Sequence, residues 1–239
     1  MAEYKDVLKE NINNIRKNME KAAIKANRNI NEIKLCAACK TRTCEEVKLS
    51  SELPIDIFGE NHVQELLEKK EAGSYSGKES HFIGHLQTNK VNKVVGKADV
   101  IESVDSERLL VKINAAAEKL GIVQDILFEI NIGEEESKGG IKKEELISLA
   151  SKANEYKNIR IRGLMAIPPF DASESETRAF FKEMYNLNES LKNMQLENAA
   201  VDTLSMGMSG DYETAIEEGA TIVRICNAIY GARDYSKKQ

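Results

Sequence analysis

Eight times along this chain a short apolar or β-branched run gives way to a polar, helix-prone stretch. The runs read EIKLCAAC, PIDIFG, SHFIGH, ADVIESV, QDILFEINI, IRIRGLMAI, DTLSMG and TIVRICNAIYG. Between them lie EEVKLSSEL, VQELLEKKEAG, TNKVNKVVG, SERLLVKINAAAEKLG, KEELISLASKANEYK, SESETRAFFKEMYNLNESLKNM and GDYETAIEEG. Strand then helix, at about 25 residues per unit, is the count and length of a (β/α)8 TIM barrel. A doubly wound open sheet is the competing architecture. The absence of a linker, the absence of a Gly-rich first turn and a total of only three prolines favour the closed barrel, built as a single domain over residues 1–239. Ahead of the first strand, Val7, Leu8, Ile12, Ile15, Met19 and Ala23 recur at helical spacing, which predicts an N-terminal helix packed on its own domain.

Composition removes several function classes. The formal net charge is −5, and no Lys/Arg cluster stands out against the surrounding acids, so a nucleic-acid footprint is not expected. No apolar run approaches the roughly 20 residues of a membrane span. The first residues lack the apolar core of a secretory signal, and four cysteines without an export signal point to free thiols in a reducing cytoplasm.

In a barrel, chemistry collects where strands end and the following loops begin. Those positions are Lys40, Asn61, His85, Ser103, Asn131, Met165, the segment 205–209 and the segment 224–227. Cys36 and Cys39 form a Cys-x-x-Cys just before Lys40. Read as strand, the pair has Cα atoms roughly 10 Å apart with side chains on opposite faces. A disulfide needs about 7 Å, and a zinc site would need further ligands that no second Cys or His pair supplies. Both thiols therefore read as buried and inert. Lys40 shares parity with Cys36 and Ala38, whose small side chains leave room on that face. It either caps the strand and reaches solvent, or stands at the mouth as an amine able to form a Schiff base with an aldehyde.

Barrels often bind phosphate with the loops after their last two strands. Here that end reads LSMGMSGDYETAIEEG, with Met206, Gly207 and Gly210 in the loop, a hydroxyl at Ser209, and a helix expected to begin near Asp211. VRICNAIYG follows, in which Arg224 closes an apolar strand and points into the mouth. A phosphate loop facing a lysine suits a phosphorylated aldehyde, of which pyridoxal 5′-phosphate is the commonest cofactor.

The chain resembles the pyridoxal-phosphate homeostasis family, also called the proline synthetase co-transcribed family, which shares the barrel of the alanine racemase N-terminal domain. CAACKTRT, FGENHVQE, HFIGHLQTNK, ESKGG, RGLMAIPP, LSMGMSGDYETAIEEGATIVRI and YGARDY carry that resemblance, in order and over nearly the whole length. It implies that Lys40 holds pyridoxal 5′-phosphate as an internal aldimine and that Asn61 lies beside the ring. It further implies that Ser209 and the backbone after Arg224 hold the phosphate, and that Arg224 faces the pyridine nitrogen. A cationic partner there disfavours protonation of that nitrogen and makes the cofactor a weaker electron sink. Lys138, in ESKGG, matches a lysine of the family's flexible loop. The departure lies after the arginine. The family has Gly then Ser or Thr, and this chain has Cys226 and Asn227, so phosphate affinity is where a difference is expected. His62 is expected to begin a helix, and His85 either to sit over the cofactor or to take a hydrogen-bonded structural role.

Three functions compete. The first is a monomeric cytoplasmic barrel that binds pyridoxal 5′-phosphate, manages its supply and delivers it to apoenzymes. The second is an amino-acid racemase. Such racemases take a second acid/base group from a partner's second domain, and a chain closing at YGARDYSKKQ has Lys40 alone on one face. The third, a Schiff-base aldolase on a phosphorylated sugar, fits the phosphate loop but not the resemblance.

Overall fold

The computed structural model describes residues 2–136 and 138–231. Ser137 of ESKGG and residues 232–235 of YGARDY lie outside the described residues, as does the C-terminal tail. Helix α1 (Ala2–Lys25) precedes eight strands: β1 (Lys34–Ala38), β2 (Ile57–Glu60), β3 (Glu79–Phe82), β4 (Val100–Val104), β5 (Gln124–Ile130), β6 (Ile159–Ala166), β7 (Ala199–Ser205) and β8 (Ile222–Ile225). All pairings are parallel, and β8 returns to β1, so the sheet is a closed barrel in sequence order. The helices between and after the strands are α2 (Cys44–Ser51), α3 (Val63–Glu71), α4 (Val91–Val94), α5 (Glu107–Leu120), α6 (Leu146–Ala153), α7 (Glu174–Asn193), α8 (Tyr212–Glu217) and α9 (Asn227–Tyr230).

Local chemistry explains where these helices start. Thr43 opens α2 and Ser173 opens α7 with reciprocal capping boxes to Glu46 and Glu176, which satisfy otherwise orphaned backbone donors. His62 is the residue before α3, as the sequence suggested, although its side chain makes no cap bond. Two elements differ from the sequence reading. The helix expected from TNKVNKVVG is a short 3-10 turn plus the single turn of α4, because Val95 leaves helical geometry at ψ 128°. The last apolar run is split: β8 stops at Ile225, Cys226 adopts φ −116°, ψ −81°, and the chain turns into α9, whose Ile229 and Tyr230 are buried.

Outward faces of the strands, including Leu35, Ala37, Phe58, Phe82, Ile101, Phe128 and Val223, share one core with the helices. On α1, Leu8, Ile12, Ile15, Met19 and Ala23 are buried in that core, and each large side chain contributes about 1.5–3 kcal/mol of burial. Val7 is the exception to the expected stripe, at 48% exposure. Asn11 on α1 donates to the Ile229 carbonyl, and Arg28, just beyond the helix, donates to those of Ile216 and Ala220, so α1 and the segment after it are tied to the elements that flank β8. The barrel interior divides into two small apolar groups, Cys36–Ile57–Ile222 and Val100–Leu127–Met165. Four buried polar residues are inside as well: His81, Glu102, Ser205 and Arg224.

Candidate functional site

β1 ends at Ala38, two residues earlier than the sequence reading, and Lys40 lies in the turn beyond it. The turn is tight because the Arg42 N–H bonds back to the Cys39 carbonyl and Thr41 takes φ 66°, a left-handed conformation that costs strain in a residue with a Cβ. The two thiols separate as strand parity requires. Cys36 faces the barrel interior, whereas Cys39 faces the helices, its Sγ 3.5 Å from the Tyr230 hydroxyl. Burial pushes both thiols well above their ordinary range, which makes them poor nucleophiles.

Register places the other mouth residues beside Lys40. β1 lies between β8 and β2, with Cys36 opposite Arg224 and Ala38 opposite Gly59. Lys40 and Asn61 each follow by two residues a registered pair of β1 and β2, Ala38 and Gly59, while Arg224 lies deeper on the adjacent β8, level with Cys36. Asn61 is crossed closely by the loop after β3. A Cβ on Gly84 would fall 2.2 Å from the Asn61 carbonyl oxygen, so only glycine passes there. Asn61 Oδ1 is buried with no hydrogen-bond partner among the described residues.

Arg224 is 4% exposed and held by neutral oxygens, with Nη1 donating to Ser205 Oγ at 2.6 Å and Nη2 to the Ala166 carbonyl at 2.9 Å. Behind it, Ser205 donates to Glu102 Oε2 at 2.6 Å, and Glu102 Oε1 is 2.5 Å from His81 Nδ1. Burial would raise the Glu102 carboxyl, but hydrogen bonds and charge from His81, together with Arg224 and Ser205, outweigh it and hold the carboxyl below the usual value. Burial likewise opposes the charge on His81, yet the Glu102 and Glu79 carboxylates raise it. The interior thus carries an ordered chain from His81 to the guanidinium.

A second buried polar cluster stands beside Lys40. Lys69 on α3 is 2% exposed, and its ammonium reaches the Cys39 carbonyl at 2.8 Å, Glu60 at 2.9 Å and Glu65 at 3.1 Å. Tyr75 adds a hydroxyl to Glu60. Burial lifts the Glu60 carboxyl to about 7, even though Lys69 and Tyr75 oppose the rise.

The segment 205–209 is only partly as expected. Gly207 has φ 90°, and a Cβ there would lie 2.5 Å from the Ala215 Cβ, so this glycine is required for packing on α8. The Met206 side chain is fully buried in the core shared with the helices, because it has the outward parity of Leu204, so only the backbone of this residue is open to the loop. Ser209 is exposed, and its Oγ lies 3.5 Å from the Cys226 amide nitrogen, which brings together the two loops proposed to hold phosphate. Asp211 immediately precedes α8 and accepts from the Met208 N–H at 2.5 Å. Cys226 sits at negative φ, so no glycine is needed there, and Asn227 is the exposed first residue of α9.

Other candidates stand elsewhere. Lys138 bonds the Pro168 carbonyl and pairs with Glu135. His85 has an exposed side chain with Nδ1 3.5 Å from Asp105 Oδ2. The two buried clusters were missed from sequence, although a Glu inside FGEN, a Glu inside VIESV and a His inside an apolar strand are the expected signal of buried, paired polar groups.

Residues 6–234 of this closed parallel barrel match the alanine racemase N-terminal domain family. The chain belongs to the pyridoxal phosphate homeostasis protein family. The Aquifex aeolicus protein of that name is 42% identical over 95% of this chain and 98% of its own length, and the Escherichia coli one is 38% identical over 95% and 97%. A crystal structure of an unknown protein from Bifidobacterium adolescentis superposes with TM-score 0.91 at 32% identity, covering 96% of both chains. PipY of Synechococcus elongatus, solved with pyridoxal phosphate bound, gives TM-score 0.78 at 28% identity over 90% of this chain and all of its own. A Clostridium difficile alanine racemase gives TM-score 0.75 at 17% identity, covering 98% of this chain and 59% of that one, which shows a shared fold.

Proposed function

We propose that this protein is a single-domain barrel that binds pyridoxal 5′-phosphate on Lys40 and serves intracellular cofactor homeostasis and delivery rather than dedicated catalysis. The observation that carries the reading is the placement of Arg224, Lys40 and Asn61 on or just beyond three adjacent strands, with Asn61 Oδ1 buried and lacking a partner among the described residues. A buried polar atom left unsatisfied by protein is costly, and a bound donor group relieves it. The residues present fit the cofactor. The Lys40 amine condenses with the cofactor's aldehyde to form an imine, releasing one water. Arg224, fixed by Ser205 and Ala166, presents a cation to the ring nitrogen. Ser209 and the N–H groups from Cys226 onward hold the phosphate. When bound, pyridoxal phosphate supplies an electron sink for carbanion chemistry, and an arginine at the ring nitrogen weakens that sink. That weakening suits storage and transfer better than turnover. Partners are then the cofactor and apoenzymes that receive it, in the cytoplasm, with the barrel acting as a monomer.

The test combines colour with isotope exchange. Purified protein given pyridoxal 5′-phosphate is expected to turn yellow, and incubation with L-alanine in deuterated water is expected to give no more than stoichiometric exchange. Multiple turnovers of deuterium into alanine would establish a racemase instead.

A further inference from the structure

The two peptide groups that flank Lys40 are both held by one buried cluster. On the N-terminal side, the Cys39 carbonyl accepts from Lys69 Nζ at 2.8 Å. On the C-terminal side, the Thr41 N–H donates to Glu65 Oε2 at 2.7 Å, and that same oxygen accepts from Lys69 at 3.1 Å. The third acceptor of the ammonium is the Glu60 carboxylate, at 2.9 and 3.0 Å to its two oxygens. An ammonium has three protons, and here they meet three acceptor groups in three directions. An arginine fork would not reproduce that arrangement, and an apolar chain of equal length would leave the Cys39 carbonyl and both carboxylates without the cation. Burying a lysine is expensive unless it is paired, so its place on the inward face of α3 needs a reason beyond packing. The strained φ of 66° at Thr41 supplies one, because a turn held in an unfavourable conformation persists only when its neighbours fix it.

We infer that Lys69 is a positioning residue for Lys40: with Glu65 it clamps the peptide groups on both sides of Lys40 and so directs that amine into the barrel mouth. The inference rests on the proposed role of Lys40 and concerns only how that amine is presented. Glu60 and Tyr75 lock Lys69 in turn, and none of the four hydrogen-bonds to Asn61, Ser209, Arg224, Cys226 or Asn227.

Two ligands separate positioning from simple support of the fold. Pyridoxal 5′-phosphate has the aldehyde that Lys40 attacks. Pyridoxine 5′-phosphate has an alcohol in its place and reports only the ring and phosphate contacts. In the full chain, Lys69→Met is expected to slow borohydride-trapped attachment at Lys40 by at least about tenfold, the scale on which a misplaced reacting group loses rate. Affinity for pyridoxine 5′-phosphate should stay unchanged. Attachment at the wild-type rate, or parallel loss of both ligands, overturns the inference. If Lys69→Met does not fold, Glu65→Gln removes the charge from the oxygen that the Thr41 N–H and Lys69 share, and attachment there at the wild-type rate is the overturning result. Wild-type protein that carries no label on Lys40 rejects the proposed function itself, a different outcome from a labelled wild type with an equally labelled variant.

Discussion

Glu102 and Glu60 are both at 0% exposure, and each stands behind one of the residues that line the mouth. Glu102 is inside the barrel and supports Arg224 through Ser205; Glu60 lies at the end of β2 and joins the Lys69 cluster behind Lys40. Their environments drive them in opposite directions. Glu102 accepts from His81 and Ser205 with Arg224 nearby, and stays below the ordinary carboxylate value. Glu60 has the Lys69 ammonium, shared with Glu65, and the Tyr75 hydroxyl, and burial with the like charge of Glu65 lifts it to about 7. Burial alone therefore does not set the charge of a carboxylate; the charges that surround it decide as well. Around Arg224 the buried Glu102 and His81 favour their ionised forms, whereas the cluster behind Lys40 contains a carboxyl lifted to about 7.

The largest expected effect follows from that contrast. Glu102→Gln strips the buried His81 and Arg224 of their common counter-charge and should destabilise the fold by about 3–5 kcal/mol in denaturant unfolding at neutral pH. Glu60→Gln keeps an oxygen acceptor for Lys69 at a position whose charge is already marginal, and should cost only about 1–3 kcal/mol. Equal losses in the two variants would break the comparison.

The pH dependence sharpens it. The folded value of Glu60 lies above the ordinary 4.5, so between 4.5 and about 7 the folded state binds a proton that the unfolded chain does not. Its contribution is complete at low pH and is lost as pH rises through about 7. Glu102 is shifted downward, so its contribution is present above 4.5 and is lost as pH falls through its folded value. His81 is raised above 6.5, and its contribution is full below 6.5 and lost as pH rises through the folded value. Unfolding free energies measured from about pH 2 to 9 should show Glu60→Gln removing the decline between about 4.5 and 7, and Glu102→Gln removing part of the decline below 4.5. The reverse assignment would contradict the account.

Gly207→Ala is the next effect in size. A methyl 2.5 Å from the Ala215 Cβ, at φ 90°, should cost about 1–3 kcal/mol and shift the loop that carries Ser209. Cys226→Gly is expected to do least. Cys226 already has an ordinary negative φ, so glycine there only adds backbone freedom, worth about 0.5–1 kcal/mol, and pyridoxine 5′-phosphate affinity should hardly move.

How much of this was legible depended on range along the chain. The βα alternation is local, and it gave the barrel, its strand order and the N-terminal helix. Strand parity is local too, and it separated Cys36 from Cys39. The same parity places Met206 with Leu204 on the outer face; the motif around it drew attention to the mouth instead. Lys69 illustrates what could not be read. It lies three residues after Leu66 on the buried face of α3, but only the packing of α3 against the end of β1 brings its ammonium to the Cys39 carbonyl. The chain from His81 to Arg224 joins four strands, and its central link, Ser205 to Glu102, spans 103 residues of sequence, so no spacing within a segment encodes that contact.

The central claim is that Lys40 is the residue the cofactor bonds. Loading the protein with pyridoxal 5′-phosphate, reducing it with borohydride and mapping the modified peptide tests this directly. The account predicts one pyridoxyl group on Lys40 and a colourless Lys40→Ala variant that still binds pyridoxine 5′-phosphate. A label on any other lysine, or a Lys40→Ala protein that keeps its reducible colour, would contradict it.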